Sequence, residues 1–72
     1  MKIDNEKLII ALANNGMMLK DLCAKAPLSE IALRDIRQGK SNPRPATIGK
    51  IAKALNVSVE EIIVKEDANG VI

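Results

Sequence analysis

Residues that stop helices recur throughout the 72-residue chain and divide it into segments of roughly one to three helical turns. The stops are Asn15-Gly16, Pro27, Gly39, Pro43 and Asn56. Proline lacks the amide hydrogen that a helix interior needs, while glycine and asparagine adopt the left-handed conformation that ends many helices. Long helices are therefore excluded. The chain is also short enough for only one domain, since domains typically contain about 50 to 200 residues.

Residues that start helices follow most of these stops. Asp4 and Ser29 are N-cap residues, Pro45 suits a first helical position, and Ser58-Val59-Glu60-Glu61 is a capping box. The predicted helices run from Asp4 to about Asn14, from about Leu19 to Lys25, from Ser29 to about Gln38, from Pro45 to Leu55, and from Ser58 onward. The expected fold is a compact all-α domain of five helices.

The predicted helices carry apolar residues at helical spacing, which indicates one shared core. The chain has no Phe, Trp or Tyr, so aliphatic side chains must fill that core. The residues expected inside are Leu8, Ala11, Leu12, Leu22, Cys23, Leu33, Ile36, Ile48, Ile51, Ala52 and Leu55.

The composition leaves few groups for catalysis. The chain has no His, and its one cysteine, Cys23, is expected inside a helix crossing. Without a nucleophile–base pair or a set of metal ligands, we expect no enzyme activity, no cofactor and no metal site. Cys23 cannot form an internal disulfide, the charged start Met1-Lys2-Ile3-Asp4 does not fit a signal peptide, and no apolar run approaches about 20 residues. These features predict a soluble cytoplasmic protein without membrane contact.

The charges are unevenly distributed along the chain. Residues 34–50 contain five basic residues and one acidic residue, whereas residues 57–72 contain one basic and four acidic residues. This pattern favours one surface that faces a polyanion and another that avoids it, although an evenly solvated charge mixture explains the numbers as well.

The middle of the chain has the spacing of a helix-turn-helix. Leu22 and Cys23 are followed by a short turn at 26–28 and then by Leu33 and Ile36, so the two helices must cross at a steep angle. A small side chain such as that of Cys23 suits the close approach. With Leu33 and Ile36 inward, the outward residues of the third helix are Glu30, Ile31, Arg34, Asp35 and Gln38. A protruding helix of this kind fits the DNA major groove, which is about 12 Å wide.

Residues 5–64 resemble the phage repressor and Cro-like helix-turn-helix family, often called XRE-like regulators. The resemblance rests on Leu22-Cys23, Leu28-Ser29, Leu33, Ile36 with Gly39-Lys40-Ser41-Asn42-Pro43, and Ile51-Ala52-Lys53-Ala54-Leu55-Asn56-Val57-Ser58. It implies a five-helix lambda-repressor-like DNA-binding domain at 1–65 with a flexible tail at 66–72. It also implies that the third helix reads bases, usually in a dimer on a pseudo-palindromic operator.

Transferred to matching positions, the resemblance implies that Glu30, Ile31, Arg34 and Asp35 read bases. Arg34 can donate two hydrogen bonds to guanine, Glu30 or Asp35 can accept from cytosine, and Ile31 can contact a thymine methyl group. Two alternatives stay open: Arg34 grips only phosphate, or Asp35 only neutralises a nearby cation.

Phosphate contacts are expected from the start of the third helix and from the loop that follows it. The candidates are Ser29, Gln38, Lys40, Ser41, Asn42 and Arg44. Positive charge and free amides suit phosphate, a contact that sets register and affinity rather than sequence preference. Arg44 replaces the usual small polar cap of the fourth helix, which is easier to understand if its guanidinium has a partner. For Ser29, a role as helix cap is the competing interpretation.

The chain departs from the family pattern at four places. Pro27 stands where the turn commonly has a left-handed glycine, so the tilt of the third helix is uncertain. Met18 and Leu19 replace a polar cap and a glutamine, which removes a phosphate contact. Leu12 and Arg37 replace an Arg–Glu pair, leaving no orphan buried charge. The carboxylates on the reading helix oppose the field of DNA.

The sequence therefore predicts a sequence-specific DNA-binding transcriptional regulator. We expect a repressor of phage, mobile-element or bacterial origin that occupies an operator as a homodimer on double-stranded DNA, with no small-molecule effector. The candidates for the dimer surface are Ile63, Val64, Val71 and Ile72. The alternative is a protein-interaction module on the same fold, an antitoxin or an antagonist of a related regulator, with Glu30, Asp35, Leu19 and Ile31 as its contact surface.

Overall fold

The computed structural model describes residues 1–64 of the chain, and four α-helices lie within them. They are α1 (Asn5–Asn15), α2 (Leu19–Lys25), α3 (Glu30–Arg37) and α4 (Pro45–Ala54). A 3-10 turn, Val59–Glu61, follows α4. The start of each helix agrees with the sequence prediction to within one residue. Asp4 and Ser29 cap α1 and α3, and Pro45 occupies the first position of α4.

The cap residues act as the sequence indicates. Asp4 Oδ1 accepts from the amides of Glu6 and Lys7 at 3.0 and 3.2 Å, which satisfies amide hydrogens that the first turn leaves free. Gly16 ends α1 with φ 62°, and Asn56 follows α4 with φ 60°. Both residues occupy the left-handed region that reverses the chain direction after a helix.

The predicted fifth helix is wrong: the segment after Ser58 forms a single 3-10 turn of three residues. The chain then runs antiparallel to the N-terminal segment, where Ile63 forms a β-bridge with Ile3. The Asp4 amide donates to the Ile62 carbonyl at 2.8 Å, and the Val64 amide donates to the Lys2 carbonyl at 2.9 Å. These bonds use the backbone groups that a longer helix would need, so the capping box starts a turn but does not extend it.

The core is aliphatic, and every residue expected inside from the sequence is buried. The sequence prediction missed three members, Ile3, Ala26 and Ile62, which are buried as well. No charged or polar side chain is buried within residues 1–64. Asn15 joins α1 to α4 at the edge of this core, since its Nδ2 donates to the carbonyls of Ala11 at 2.9 Å and Leu55 at 2.7 Å.

No helix in the described part of the chain has the length and apolarity needed to cross a membrane. The predicted domain end at residue 65, the predicted tail at 66–72, and the dimer candidates Val71 and Ile72 lie outside the described residues.

Candidate nucleic-acid interface

The turn between α2 and α3 is built without a left-handed residue. Ala26 has φ −100° and ψ 28°, and its amide donates to the Leu22 carbonyl at 2.8 Å. The Leu28 amide then donates to the Cys23 carbonyl at 3.0 Å and closes the turn. Pro27 lies between them, exposed, at a position where its missing amide hydrogen is not required. Pro27 therefore fits a turn that has no left-handed residue at the position where a glycine was expected.

The outer face of α3 projects into solvent. Leu33 and Ile36 are buried, whereas Glu30, Ile31, Arg34 and Gln38 are exposed. Ile31, on this outer face, is 64% exposed. At the start of the helix, the Ser29 hydroxyl accepts from the Ala32 amide at 3.0 Å. Ser29 therefore acts as a helix cap, and its hydroxyl oxygen already has a partner.

A groove of about 300 Å³ runs between α2 and α3. Its lining consists of Leu19, Lys20, Cys23, Glu30, Ile31, Leu33, Arg34 and Arg37. Three of these residues are basic and one is acidic, so the groove is positive despite Glu30. Sequence reasoning missed Lys20, because its place beside α3 depends on how α2 packs against α3.

A second groove of about 470 Å³ lies on the other side of α3, against the loop that leads to α4. Its lining consists of Leu28, Ala32, Asp35, Ile36, Ser41, Asn42, Pro43, Arg44 and Thr47. Asp35 thus lies with the phosphate candidates, while Glu30, Ile31 and Arg34 line the first groove. The predicted base-reading residues occupy the two flanks of one ridge, and Gln38 lies exposed at its C-terminal end.

The loop candidates are available to a ligand. Lys40, Ser41, Asn42 and Arg44 are all exposed. Arg44 occupies the N-cap position of α4, and its side chain makes no capping hydrogen bond. An exposed guanidinium at the start of a helix is an arrangement that suits an anion.

At the start of α2, a side chain of the same helix bonds a backbone amide. Asp21 Oδ2 accepts from the Met18 amide at 2.9 Å, which is one half of a capping box, and the Met18 side chain makes no capping hydrogen bond. Met18 is 63% exposed. An acidic and an apolar side chain thus lie where the sequence comparison expected a polar cap.

Arg37 is held within the domain. Its Nε donates to Asn5 Oδ1 at 2.9 Å, which ties the last turn of α3 to the first turn of α1. The bond joins a charged donor to a neutral acceptor and fixes the end of α3 relative to α1, while Leu12, at the other position of the expected ion pair, is buried in the core.

Cys23 packs at the crossing of α2 and α3. Burial raises the pKa of its thiol above the ordinary value, and the nearby negative charge of Glu30 adds to the increase. A thiol with a raised pKa stays protonated near neutrality and is a poor nucleophile.

An all-helical fold with an exposed third helix after a tight turn defines a helix-turn-helix DNA-binding domain. The family model described as the Cro/C1-type HTH DNA-binding domain matches residues 7–68. The chain therefore belongs to the Cro/C1-type helix-turn-helix family. A search of curated proteins finds no significant match to this chain.

Proposed function

We propose that this protein is a sequence-specific transcriptional repressor of phage, mobile-element or bacterial origin. It binds double-stranded DNA in the cytoplasm and represses by occupying an operator, so that other proteins are excluded from the site. The observation that carries the proposal is the ridge of α3, whose exposed side chains flank two open grooves.

The ridge carries three kinds of group that distinguish base pairs. Arg34 supplies paired donors for guanine, Glu30 and Asp35 supply acceptors for the cytosine amino group, and Ile31 supplies an apolar surface for the thymine methyl group. Each good bidentate contact is worth about 1–3 kcal/mol of discrimination between bases.

The loop supplies the contacts that do not depend on sequence. Lys40 and Arg44 neutralise phosphates, and Ser41, Asn42 and Gln38 add neutral hydrogen bonds. These contacts set the depth and register at which α3 enters the groove. Since the Ser29 hydroxyl already accepts from the Ala32 amide, a phosphate contact at this end of α3 comes from the amide of a neighbouring residue.

A homodimer follows from the size of the reading element. A helix of 8 residues contacts few base pairs, and two half-sites about one helical turn apart multiply the selectivity. Ile63 is half-buried beside Ile3, and Val64 is 40% exposed. Val64 is therefore the better described candidate for a subunit contact. Neither a catalytic role nor a small-molecule effector forms part of the proposal.

The experiment is selection of bound sequences from random duplexes at about 0.1 M and about 0.3 M salt. We expect enrichment of a symmetric site, and an affinity that falls steeply as salt rises because counterions are released from DNA. The matched pair of variants is Arg34→Ala on the ridge and Lys2→Ala on the exposed N-terminal segment. Arg34→Ala should broaden the selected motif and Lys2→Ala should not. Absence of any enriched sequence would overturn the proposal.

A protein-interaction role is the second candidate, and the apolar exposure favours it. Ile31 and Met18 are both more than 60% exposed, and they flank Leu19, which is half-buried. With Glu30 they form the mixed apolar and acidic surface expected of an antitoxin or an antagonist of a related regulator, whereas Asp35 lies on the opposite flank of α3, in the second groove. Binding through such a surface should depend little on salt, which separates this function from DNA binding.

A further inference from the structure

A third groove, away from the reading ridge, has a distinctly basic lining. It lies between the end of α2 and the C-terminal half of α4 and is lined by Lys25, Pro27, Lys50, Lys53, Ala54 and Asn56. We call it the lysine groove. Its lining contains three cations and no carboxylate, and none of the lining residues belongs to α3 or to the loop at 38–44. The proposed DNA contacts therefore leave its positive charge without a partner.

The lining of the lysine groove is partly apolar, because it includes Pro27 and Ala54. The charged oxygens of a phosphodiester backbone gain nothing from these two residues. A polypeptide segment that carries both carboxylates and aliphatic side chains gains from both parts of the groove, through charge pairing and through burial of apolar surface. The lining thus favours an acidic peptide segment over nucleic acid.

The same chain contains a segment of this chemistry. Residues 60–67, which we call the acidic segment, contain four acidic residues and one basic residue, and within the described part Val64 is their exposed aliphatic residue. Glu60 is exposed, and Val64 is 40% exposed. The charges of the acidic segment and of the lysine groove are therefore complementary.

The acidic turn is held away from the groove of its own chain. Glu60 is not among the residues that line the groove, Ile62 is fully buried, and the Ile62 carbonyl accepts from the Asp4 amide at 2.8 Å. The bridge between Ile3 and Ile63 fixes the next residue as well. The described part of the acidic segment therefore cannot swing into the lysine groove as a free arm, whereas another copy can bring its own segment there.

We propose that the lysine groove binds the acidic segment of a second copy of this chain. The contact leaves α3 free, so copies bound at neighbouring DNA sites can touch while each reads its own site. It does not depend on DNA binding and can be tested without DNA.

The test is sedimentation equilibrium of the full chain over a range of concentrations, with two charge-reversal variants. Lys50→Glu with Lys53→Glu reverses the groove, and Glu60→Lys with Glu66→Lys reverses the acidic segment while Glu61 and its capping contact stay intact. Each variant alone should raise the apparent dissociation constant of self-association by roughly tenfold or more. An equimolar mixture of the two should associate again, because each now offers a complementary surface to the other.

The control is Ala13→Glu with Asn14→Glu, which adds negative charge at two exposed positions of α1 outside the groove. It should associate like the unaltered chain. Association of the unaltered chain should weaken between about 0.1 M and about 1 M salt, over which the Debye length falls from roughly 10 Å to roughly 3 Å. Melting curves by circular dichroism verify that every variant is folded.

Three results would overturn the proposal. The first is an unaltered chain that stays monomeric at all concentrations. The second is a mixture of folded variants that does not associate. The third is a groove variant that self-associates normally but loses DNA affinity with a smaller salt dependence, which would make the lysine groove a phosphate contact. Failure to bind any DNA would overturn the proposed function and leave this inference standing.

Discussion

At the scale of single residues, Arg44 shows most clearly how a missing helix cap indicates a function. Its position at the N-cap of α4 normally favours a short polar side chain that bonds the first amides. Arg44 makes no such bond and is exposed. Helix α4 therefore lacks the stabilisation of an N-cap at the place where the loop carries its basic side chains.

We predict that Arg44→Ala weakens DNA binding and leaves stability almost unchanged. The slope of log affinity against log salt should fall in magnitude by about 0.9, the value for one lost phosphate contact. The free energy of unfolding should change by less than about 0.5 kcal/mol, because no cap bond is removed. Fluorescence-anisotropy titrations at several salt concentrations measure the slope, with Lys2→Ala as the control. An unchanged affinity and slope would exclude the phosphate contact.

Cys23 illustrates a residue whose size matters more than its chemistry. Its thiol is buried where α2 meets α3, and its raised pKa keeps it protonated. We predict that Cys23→Ala costs about 1 kcal/mol of stability and leaves DNA affinity unchanged, whereas the larger Cys23→Leu costs about 1–3 kcal/mol through overpacking. Urea titrations give both values. Loss of DNA binding by a fully folded Cys23→Ala variant would assign the thiol a functional role.

At the scale of elements, the structure shows why caps predict where helices start better than how they end. Asp4, Ser29 and Pro45 act within one turn of their own position, so the sequence alone reveals them. The fifth element fails as a helix because Ile3, about sixty residues away, pairs with Ile63. No local pattern contains that pairing. The positions of Lys20 and Asp35 on opposite flanks of α3 likewise depend on where α2 and the loop lie in space.

The turn at Ser58 gives a prediction about pH. The amide of Ser58 and then its hydroxyl donate to the carboxylate of Glu61, which lowers the pKa of Glu61 below its ordinary value of 4.5. A lowered pKa in the folded state stabilises the fold at pH values above the ordinary value, and this contribution is lost as pH falls through the lowered one.

The unaltered chain should therefore lose thermal stability relative to Glu61→Gln as pH falls from about 5 to about 3. Circular-dichroism melts at closely spaced pH values measure the difference. Glu60→Gln removes a neighbouring exposed carboxylate without touching the capping contact and is the matched control. Parallel pH curves for the unaltered chain and Glu61→Gln would contradict the assignment.

Pro27 tests the account of the turn between α2 and α3. Because the turn has no left-handed residue and needs no amide hydrogen at this position, proline fits it and restricts the unfolded chain. We predict that Pro27→Ala lowers the free energy of unfolding by about 0.4–1 kcal/mol. Urea titration measures the change, and Pro43→Ala in the loop after α3 is the comparison. An increase in stability would show that Pro27 strains the turn.

At the scale of the whole molecule, the surface formed by α3 and its loop and the lysine groove differ in charge and in proposed function. The core of residues 1–64 is aliphatic throughout, so the polar and charged side chains are left for the surface. Helix α3 and the following loop face one ligand, and the lysine groove on α2 and α4 faces another direction with different chemistry. The sequence predicted the first surface from a contiguous stretch. The lysine groove joins residues 25–27 to residues 50–56 and becomes visible only when α2 packs against α4.

The central claim is that the outer face of α3 enters the DNA major groove. Amide resonances of the isotope-labelled chain, followed during titration with a selected duplex, test it most directly. We predict that the largest shifts fall at residues 29–38 and 40–44, while the amides of residues 50–56 change little. Large shifts confined to the lysine groove, with residues 29–38 unchanged at saturating DNA, would contradict the account.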